Sequence, residues 1–321
     1  VSSASLVPET RSLTGDDAWK VLKQTGWGRL AKDAFKRLRV ADGFSHARSL
    51  AFMVSLVAIE GLIGLVGLAS VLHKGSVTAM IDATLHRTVP GPAGRVLTTA
   101  VTQAHLVAAT HHYNALIFGL IGGVIVATTA MGQLERGLNR IYGVEQDRPT
   151  LKKYGLALIF ALSVGALCAA AFVCLAAGRS LFHTTNNAAL SSSWAIVRWP
   201  LGVGLTAIAV TVLFRYSPRR RQPQLSWLAF GSGVSVFLWG LATALLGLFF
   251  SRSSSFGSTY GPLAGVVALL VWSLLSSIAL FYGAAIAAQL EAVRSGASTP
   301  QDAQKVVESD PATDRGTVAS S

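Results

Sequence analysis

The sequence predicts an all-α protein, a polytopic membrane helix bundle with about six transmembrane helices plus amphipathic interfacial helices. Three observations lead there. Of the 321 residues, 51% are hydrophobic and only 13% charged, against about 25% charged in a soluble domain. Apolar runs of roughly 20 residues, the length a bilayer core demands, recur along the chain. Lys and Arg are distributed unevenly among the connections between those runs, which is the signature of a set topology. Mean hydropathy is +0.51.

The elements follow in chain order. Residues 1–18 are polar and are expected to be disordered. Residues 19–49 read as a basic amphipathic segment at the cytoplasmic interface. Leu30, Ala34, Phe35 and Leu38 repeat at helical spacing, and Arg29, Lys32, Lys36, Arg37 and Arg39 crowd the other faces, so the helix is expected to lie on the membrane. A six-helix transmembrane domain covers 50–292, with spans at 50–72, 113–131, 154–178, 195–214, 226–250 and 261–288. Unpaired backbone groups are too costly in hydrocarbon, so each span is a helix. Between the first two, residues 73–112 show two amphipathic stretches around Pro90-Gly91-Pro92, an outer helical hairpin that caps the bundle. Residues 293–321 form a polar tail, expected to be disordered. No apolar run precedes Leu50, so the first span acts as an uncleaved anchor rather than a cleaved signal.

Orientation comes from counting Lys and Arg. The N-terminal segment carries nine, the 132–153 connection five, the 215–225 connection four and the C-terminal tail three, against six on the opposite side. Both termini are therefore expected in the cytoplasm. The net charge of +12 fits anionic lipid head groups. Nucleic-acid binding would need a basic, aromatic surface away from the bilayer, and none is evident.

Candidate functional residues are few. Glu60 sits near the middle of the first span, where an ionised carboxylate is expensive. It reads either as a contact on a transport path or as a neutral acid bonded to a neighbouring helix. Arg179, Arg198 and Arg252 lie at outer helix ends. Guanidinium forks suit phosphate, so together they could hold an anionic lipid, although Trp194-x3-Arg198-Trp199 also reads as an interfacial anchor. Lys152, Lys153, Arg215, Arg219, Arg220 and Arg221 form an inner basic belt, expected to set topology and attract anionic lipids. Cys168 and Cys174 read as small buried apolar residues. His105, His111 and His112 carry no metal-ligand pattern, so no metal and no cofactor are expected. Gly119-x-x-x-Gly123, Gly261-x-x-x-Gly265 and the stripe Gly61, Gly64, Gly67 are close-packing devices.

Three strings carry a family resemblance. Leu138-Asn139-Arg140-Ile141-Tyr142-Gly143-Val144 follows the second span, Tyr216-Ser217-Pro218-Arg219-Arg220 precedes the fifth, and Thr259-Tyr260-Gly261-Pro262-Leu263-Ala264-Gly265 opens the sixth. In this order they resemble the signatures of the YihY/BrkB family of bacterial inner-membrane proteins, over roughly residues 40–292. The last span departs from the family pattern: Gly283-Ala284 is followed by Ala285 and Ile286 rather than by an acidic residue. The resemblance implies about six spans and a link to envelope integrity and, for some members, to lipid or lipopolysaccharide export. An old label of the family, ribonuclease BN, finds no support in the residues. Physically, Asn139 and Arg140 are placed to clamp a helix end, Tyr142 suits an interface, and Pro218 stops a helix.

Three functional readings follow. The first is a transporter or flippase of an amphipathic or lipid envelope component, with membrane lipids, chiefly anionic, as partners. The second is a non-transporting membrane scaffold that supports envelope integrity, with a second copy or an envelope protein as its partner. The third, an intramembrane enzyme, lacks any convergent set of acid, base and nucleophile.

Overall fold

In hydrocarbon a backbone can satisfy its polar groups only within its own helix, and each apolar run of the chain does so. A computed structural model describes residues 4–10, 12–71, 81, 85, 89, 91–110, 114–176, 188–253, 263–297, 299 and 300. Nine helices run through them: α1 (Gly15–Thr25), α2 (Trp27–Val40), α3 (Gly43–Val71), α4 (Gly91–Thr110), α5 (Asn114–Ile141), α6 (Thr150–Ala176), α7 (Ala188–Tyr216), α8 (Leu225–Arg252) and α9 (Ala264–Arg294). Six of these, α3 and α5 to α9, are long and apolar enough to cross a membrane. They coincide with the six expected spans, several reaching a turn or two further at the basic end.

The six helices form a ring. Following the chain, α3 packs on α5, α5 on α6, α6 on α7, α7 on α8 and α8 on α9, and α9 closes the ring on α3. Two seams are glycine-tight. A Cβ on Gly119 of α5 would lie 2.4 Å from the amide nitrogen of Gly64 in α3. A Cβ on Gly283 of α9 would lie 1.9 Å from Ser235 Oγ and 2.4 Å from the Gly231 carbonyl of α8. The expected small-residue contacts are thus realised at Gly64 and Gly119. Gly265 accommodates α4 instead, since its Cβ would meet Val96 at 2.3 Å; Gly261 lies outside the described residues.

Buried side chains gather at the two ends. At one end α4 seats Leu97, Val101 and Ala104 against Leu62 and Val66 of α3 and Ala268 and Leu269 of α9, joined by Ile81 and Leu85. Most of the first arm of the expected hairpin lies outside the described residues. At the other, basic end the N-terminal segment, α1 and α2 close over the ring.

Here the sequence expectation is corrected. Residues 4–14 are not a free tail but a strap. Ala4 and Val7 are buried, and their amides donate to the carbonyls of Arg140 and Tyr142. The Ser5 amide donates to Pro300, which ties down the start of the C-terminal tail as well. The strap stays because its apolar side chains find partners and its amides are paired with carbonyls left over at a helix end. The remainder of the tail, 301–321, lies outside the described residues.

The single basic helix expected over 19–49 is instead α1, α2 and about the first two turns of α3. Thr14 starts α1 by donating its amide and hydroxyl to Asp17 at 3.1 and 2.9 Å, and Gly26 at φ +79° ends it. Asp42, at φ +52°, turns the chain from α2 into α3. On α2, Leu30, Ala34 and Leu38 face inward as expected, but Phe35 is half-exposed and Arg37 is fully buried. Seven residues after Leu30, Arg37 falls on the same helix face. Arg29, Lys32, Lys36 and Arg39 stay exposed. Cys168 is likewise exposed on α6 rather than buried.

Candidate functional site

A partly open pocket of about 170 Å³ lies where α3 faces α7 across α8 and α9. Thr206 of α7, Ser235 and Trp239 of α8, and Ser276 and Ser277 of α9 are among its lining residues, but the surface they present to it is almost wholly apolar. Leu50 and Val54 of α3 supply the facing wall. None of the lining side chains is charged. At 1.5 Å per residue, Ser235 lies about 15 Å from the basic end of α8 and Ser277 about 25 Å from that of α9. The cavity therefore occupies the middle of the membrane and its basic half.

Further hydroxyl contacts bracket it. Toward the basic end Thr211 and Ser232 are 2.7 Å apart. Toward the far end Ser55 donates to Ser273 at 2.8 Å, and the Trp272 indole donates to Thr243 at 3.0 Å. These contacts join α7 to α8, α3 to α9 and α9 to α8, so uncharged polar groups run along the interior through much of the ring's depth. Interhelical hydroxyl bonds of this kind are worth about 1 kcal/mol each or less.

Glu60 stands apart from this interior. Its carboxylate rests against Gly122 of α5, whose Cβ would lie 2.9 Å from Oε2. Glu60 follows Val54 by six residues, about 9 Å along α3 and on another face. No hydrogen bond or ion pair holds it among the described residues. Arg198 sits over its neighbour Trp199, 5.7 Å from the ring centre, and Arg252 is exposed at the end of α8. Nothing among the described residues joins these two arginines into one site. Arg179, Tyr260 and Gly261 lie outside the described residues, as do His111 and His112; His105 is exposed.

The basic end is a second constellation. Arg220 makes a two-pronged contact with Glu291, at 2.9 and 3.2 Å, with both side chains almost wholly buried. Its guanidinium also lies 4.7 Å above the Tyr142 ring. Thr10 of the strap donates to Glu291 through its hydroxyl at 2.6 Å and its amide at 3.2 Å. Arg37 donates to Gln289 Oε1 at 2.8 Å, to the Ser5 carbonyl at 3.0 Å and to the Ile141 carbonyl at 3.1 Å. Burial pushes the Arg37 guanidinium down to about 10, so it remains charged at neutral pH. Burial likewise pushes the Tyr142 phenol well above its ordinary range.

The motif residues serve this network. Leu138 is buried. Asn139 accepts the Arg219 amide at 2.8 Å and donates to Asp147 at 3.1 Å. Arg140 donates to the carbonyls of Val144 and Glu145. Gly143 has φ +77°, and a Cβ there would lie 2.5 Å from the Leu6 backbone. Only glycine fits that turn beneath the strap. Buried Pro218 ends α7 and offers its carbonyl to Arg148 at 2.9 Å.

Half of the basic belt, Lys153, Arg215 and Arg220, turns inward, and Arg219 is exposed. Lys153 is buried and pairs with Asp147 at 3.4 Å. Arg215 donates to the carbonyls of Gln222 and Pro223, and Arg219 to that of Asp147 at 2.8 Å. Lys152 and Arg221 are exposed, and the Arg221 amide donates to Glu9 at 3.0 Å. The belt thus cross-ties the strap, the two basic-end connections and the last turns of α9. Burial alone would raise the Asp147 carboxyl, but the Asn139 hydrogen bond and the nearby Lys153 and Arg140 outweigh it and hold the group below its ordinary value.

Six apolar helices in a ring, an uncharged pocket among them and a basic, densely tied mouth define a polytopic α-helical membrane protein. The chain belongs to the family described as virulence factor BrkB, whose family model matches residues 34–308. It is similar to the ribonuclease-like protein YfkH of Bacillus subtilis (strain 168), at 22% identity over 264 residues, 81% of this chain and 94% of YfkH. It is also similar to UPF0761 membrane proteins of Halorhodospira halophila, 27% identical over 179 residues, and of Ralstonia nicotianae, 27% identical over 220 residues. The matches take in 55% and 65% of this chain but only 39% and 46% of those two relatives, so the chain spans less than half of each. No solved structure matches it.

Proposed function

We propose that the protein moves an amphipathic lipid component across the bacterial inner membrane and so supports the integrity of the envelope, without catalysing a reaction. The observation that carries this reading is the pocket that opens among α3, α7, α8 and α9. Here a space of about 170 Å³ is kept at mid-membrane, with hydroxyl contacts continuing on either side of it. A polar head group crossing about 30 Å of hydrocarbon needs such a succession of partners.

The basic end faces the cytoplasm in this reading, because Lys and Arg gather on that side. The exposed Arg29, Lys32, Lys36 and Arg39 of α2 then meet anionic head groups, with Trp19 and Trp27 at the interface. In this reading Glu60, which lies against Gly122 and Gly123 of α5, packs the α3–α5 seam rather than lining the path.

A second reading, a membrane scaffold without transport, draws support from the cross-ties at the basic end, which make a rigid platform. Reconstitution separates the two. Proteoliposomes carrying a neutral glycolipid or phosphatidylglycerol, each fluorescent on its acyl chain, are treated with a membrane-impermeant quencher. Under the transport reading wild type makes the inner-leaflet label accessible within minutes and Ser277→Leu, which fills the cavity, does not. Label protected equally in wild-type and protein-free vesicles would favour the scaffold.

A further inference from the structure

Around α2 the side chains fall into three sectors. Leu30, Ala34, Arg37 and Leu38 are buried against the rest of the protein. Trp27, Ala31 and Phe35 follow at four-residue steps on the adjoining face, and the two aromatic side chains stand half exposed, at 51% and 48%. Arg29, Lys32, Lys36 and Arg39 make the third sector. They fall within about 80° of the helix circumference, and all four are exposed.

The neighbours of the aromatic sector fix its height. Trp27 stacks on Phe230 of α8 with ring centres 5.3 Å apart, and Phe35 meets Phe44 of α3 edge-on at 5.8 Å. Phe230 lies about 8 Å from the start of α8, and Phe44 is in the first turn of α3. The helix α2 is therefore level with the ends of two spans, where hydrocarbon gives way to head groups. The pattern continues down α3. Phe44, Arg48 and Phe52 share a face at four-residue steps, and Arg48 and Phe52 are exposed. The Phe35–Phe44 contact joins the two stripes into one surface.

The charges on this surface are only partly answered. Arg29 and Lys36 share Asp33, each at 3.9 Å. Lys32, Arg39 and Arg48 form no ion pair among the described residues. Asp42, at the turn between α2 and α3, is the other carboxylate of this stretch. A soluble anion or an acidic protein would answer the cations but would leave the half-exposed rings bare at the level of the hydrocarbon. A phospholipid answers both.

We infer that the corner between α2 and α3 docks an anionic phospholipid of the leaflet at the basic end. Its phosphate meets the Arg39 and Arg48 guanidiniums, whose forked donors match phosphate oxygens. Lys32 draws the net charge of the head group, and the upper part of an acyl chain lies along Phe35, Phe44 and Phe52. The inference goes beyond the transport reading and does not depend on it, because the lipid docks on the outside of the ring.

The test is native mass spectrometry of the purified full chain with an equal mixture of phosphatidylglycerol and phosphatidylcholine, which share a phosphate and differ in net charge. Wild type is expected to retain phosphatidylglycerol preferentially. Arg48→Gln is expected to bind it about fivefold more weakly, and Arg39→Gln with Arg48→Gln about twentyfold, with melting unchanged because both side chains are exposed. Arg221→Gln removes one exposed charge from the same end of the molecule and is expected to bind as wild type does. Equal losses in Arg48→Gln and Arg221→Gln would mean that bulk charge alone attracts the lipid, and would overturn the site. Equal retention of the two lipids by wild type, or retention of neither, overturns it as well. A preference for phosphatidylglycerol that disappears in the double variant upholds the site whether or not lipid crosses in proteoliposomes.

Discussion

Replacing Glu291 by Gln removes the carboxylate that Arg220 contacts among the described residues and leaves a guanidinium, 2% exposed, without its counter-charge. The structure sets the size of the effect. Both carboxylate oxygens engage Arg220 within 3.2 Å, and Thr10 adds two hydrogen bonds from the strap. Breaking a buried pair on one side costs about 3–5 kcal/mol, chiefly the penalty of the orphaned charge. At about 2–4 °C per kcal/mol for larger domains, melting in detergent should fall by roughly 10 °C. The exposed pair Lys36–Asp33, at 3.9 Å with the lysine 57% exposed, is the internal control. Lys36→Gln there should cost less than about 1 kcal/mol. Neutralising both partners, Glu291→Gln with Arg220→Gln, should recover part of the loss, since the two residues are directly coupled. A Glu291→Gln protein that melts within a degree or so of Lys36→Gln would refute the view that this pair clamps the strap to α9.

Other consequences are open to measurement. Gly283→Ala places a methyl 1.9 Å from Ser235 Oγ. Overpacking of this sort costs about 1–3 kcal/mol, so thermal melting should fall, whereas Gly155→Ala, with open space around it, should be neutral or slightly stabilising. Gly143→Ala meets both a positive φ and the Leu6 backbone, and limited proteolysis should then cut within residues 4–14. Asp147 titrates below its unfolded value near 3.9, so its contribution is complete above about pH 4 and is lost as pH falls through the depressed native value. Wild type should therefore lose melting temperature below pH 4 more steeply than Asp147→Asn. In a background lacking Cys168 and Cys174, Lys152→Cys and Arg252→Cys should react with impermeant thiol reagents from opposite sides of the membrane; labelling from one side would overturn the six-span topology.

The spans were legible because hydropathy and length are properties of a segment alone. Their alternation was legible because Lys and Arg cluster by side. The interior was less so. Ser and Thr inside an apolar helix can satisfy themselves on their own backbone, as Ser276, Thr206 and Thr211 do, and then read as small apolar residues. Which of them face inward is decided by the ring, not by the run that contains them. Glu60 drew attention as the lone carboxylate deep in a span, yet two small residues of α5, Gly122 and Gly123, make the notch that receives it. Glu291 went unremarked, although a signal existed: an acidic residue in the last turn of a helix opposes the helix dipole and so calls for a cation. Arg37 shared a face with Leu30 and Ala34 and could have been read as buried on that ground. The strap was missed because residues 4–14 show no helical or strand period; its order comes from carbonyls and cations supplied by α5 and α9.

The central claim is that lipid enters the ring, and photo-crosslinking tests it most directly. An amphipathic lipid carrying a diazirine at the head of its acyl chain would be equilibrated with the full chain, irradiated, and its adducts mapped by peptide mass spectrometry. The account expects adducts on the cavity wall, at Val236, Trp239 and Leu280, and their loss in Ser277→Leu. Adducts confined to the exposed outer faces, at Phe118, Ile125 and Phe237, in wild type and variant alike, would contradict it.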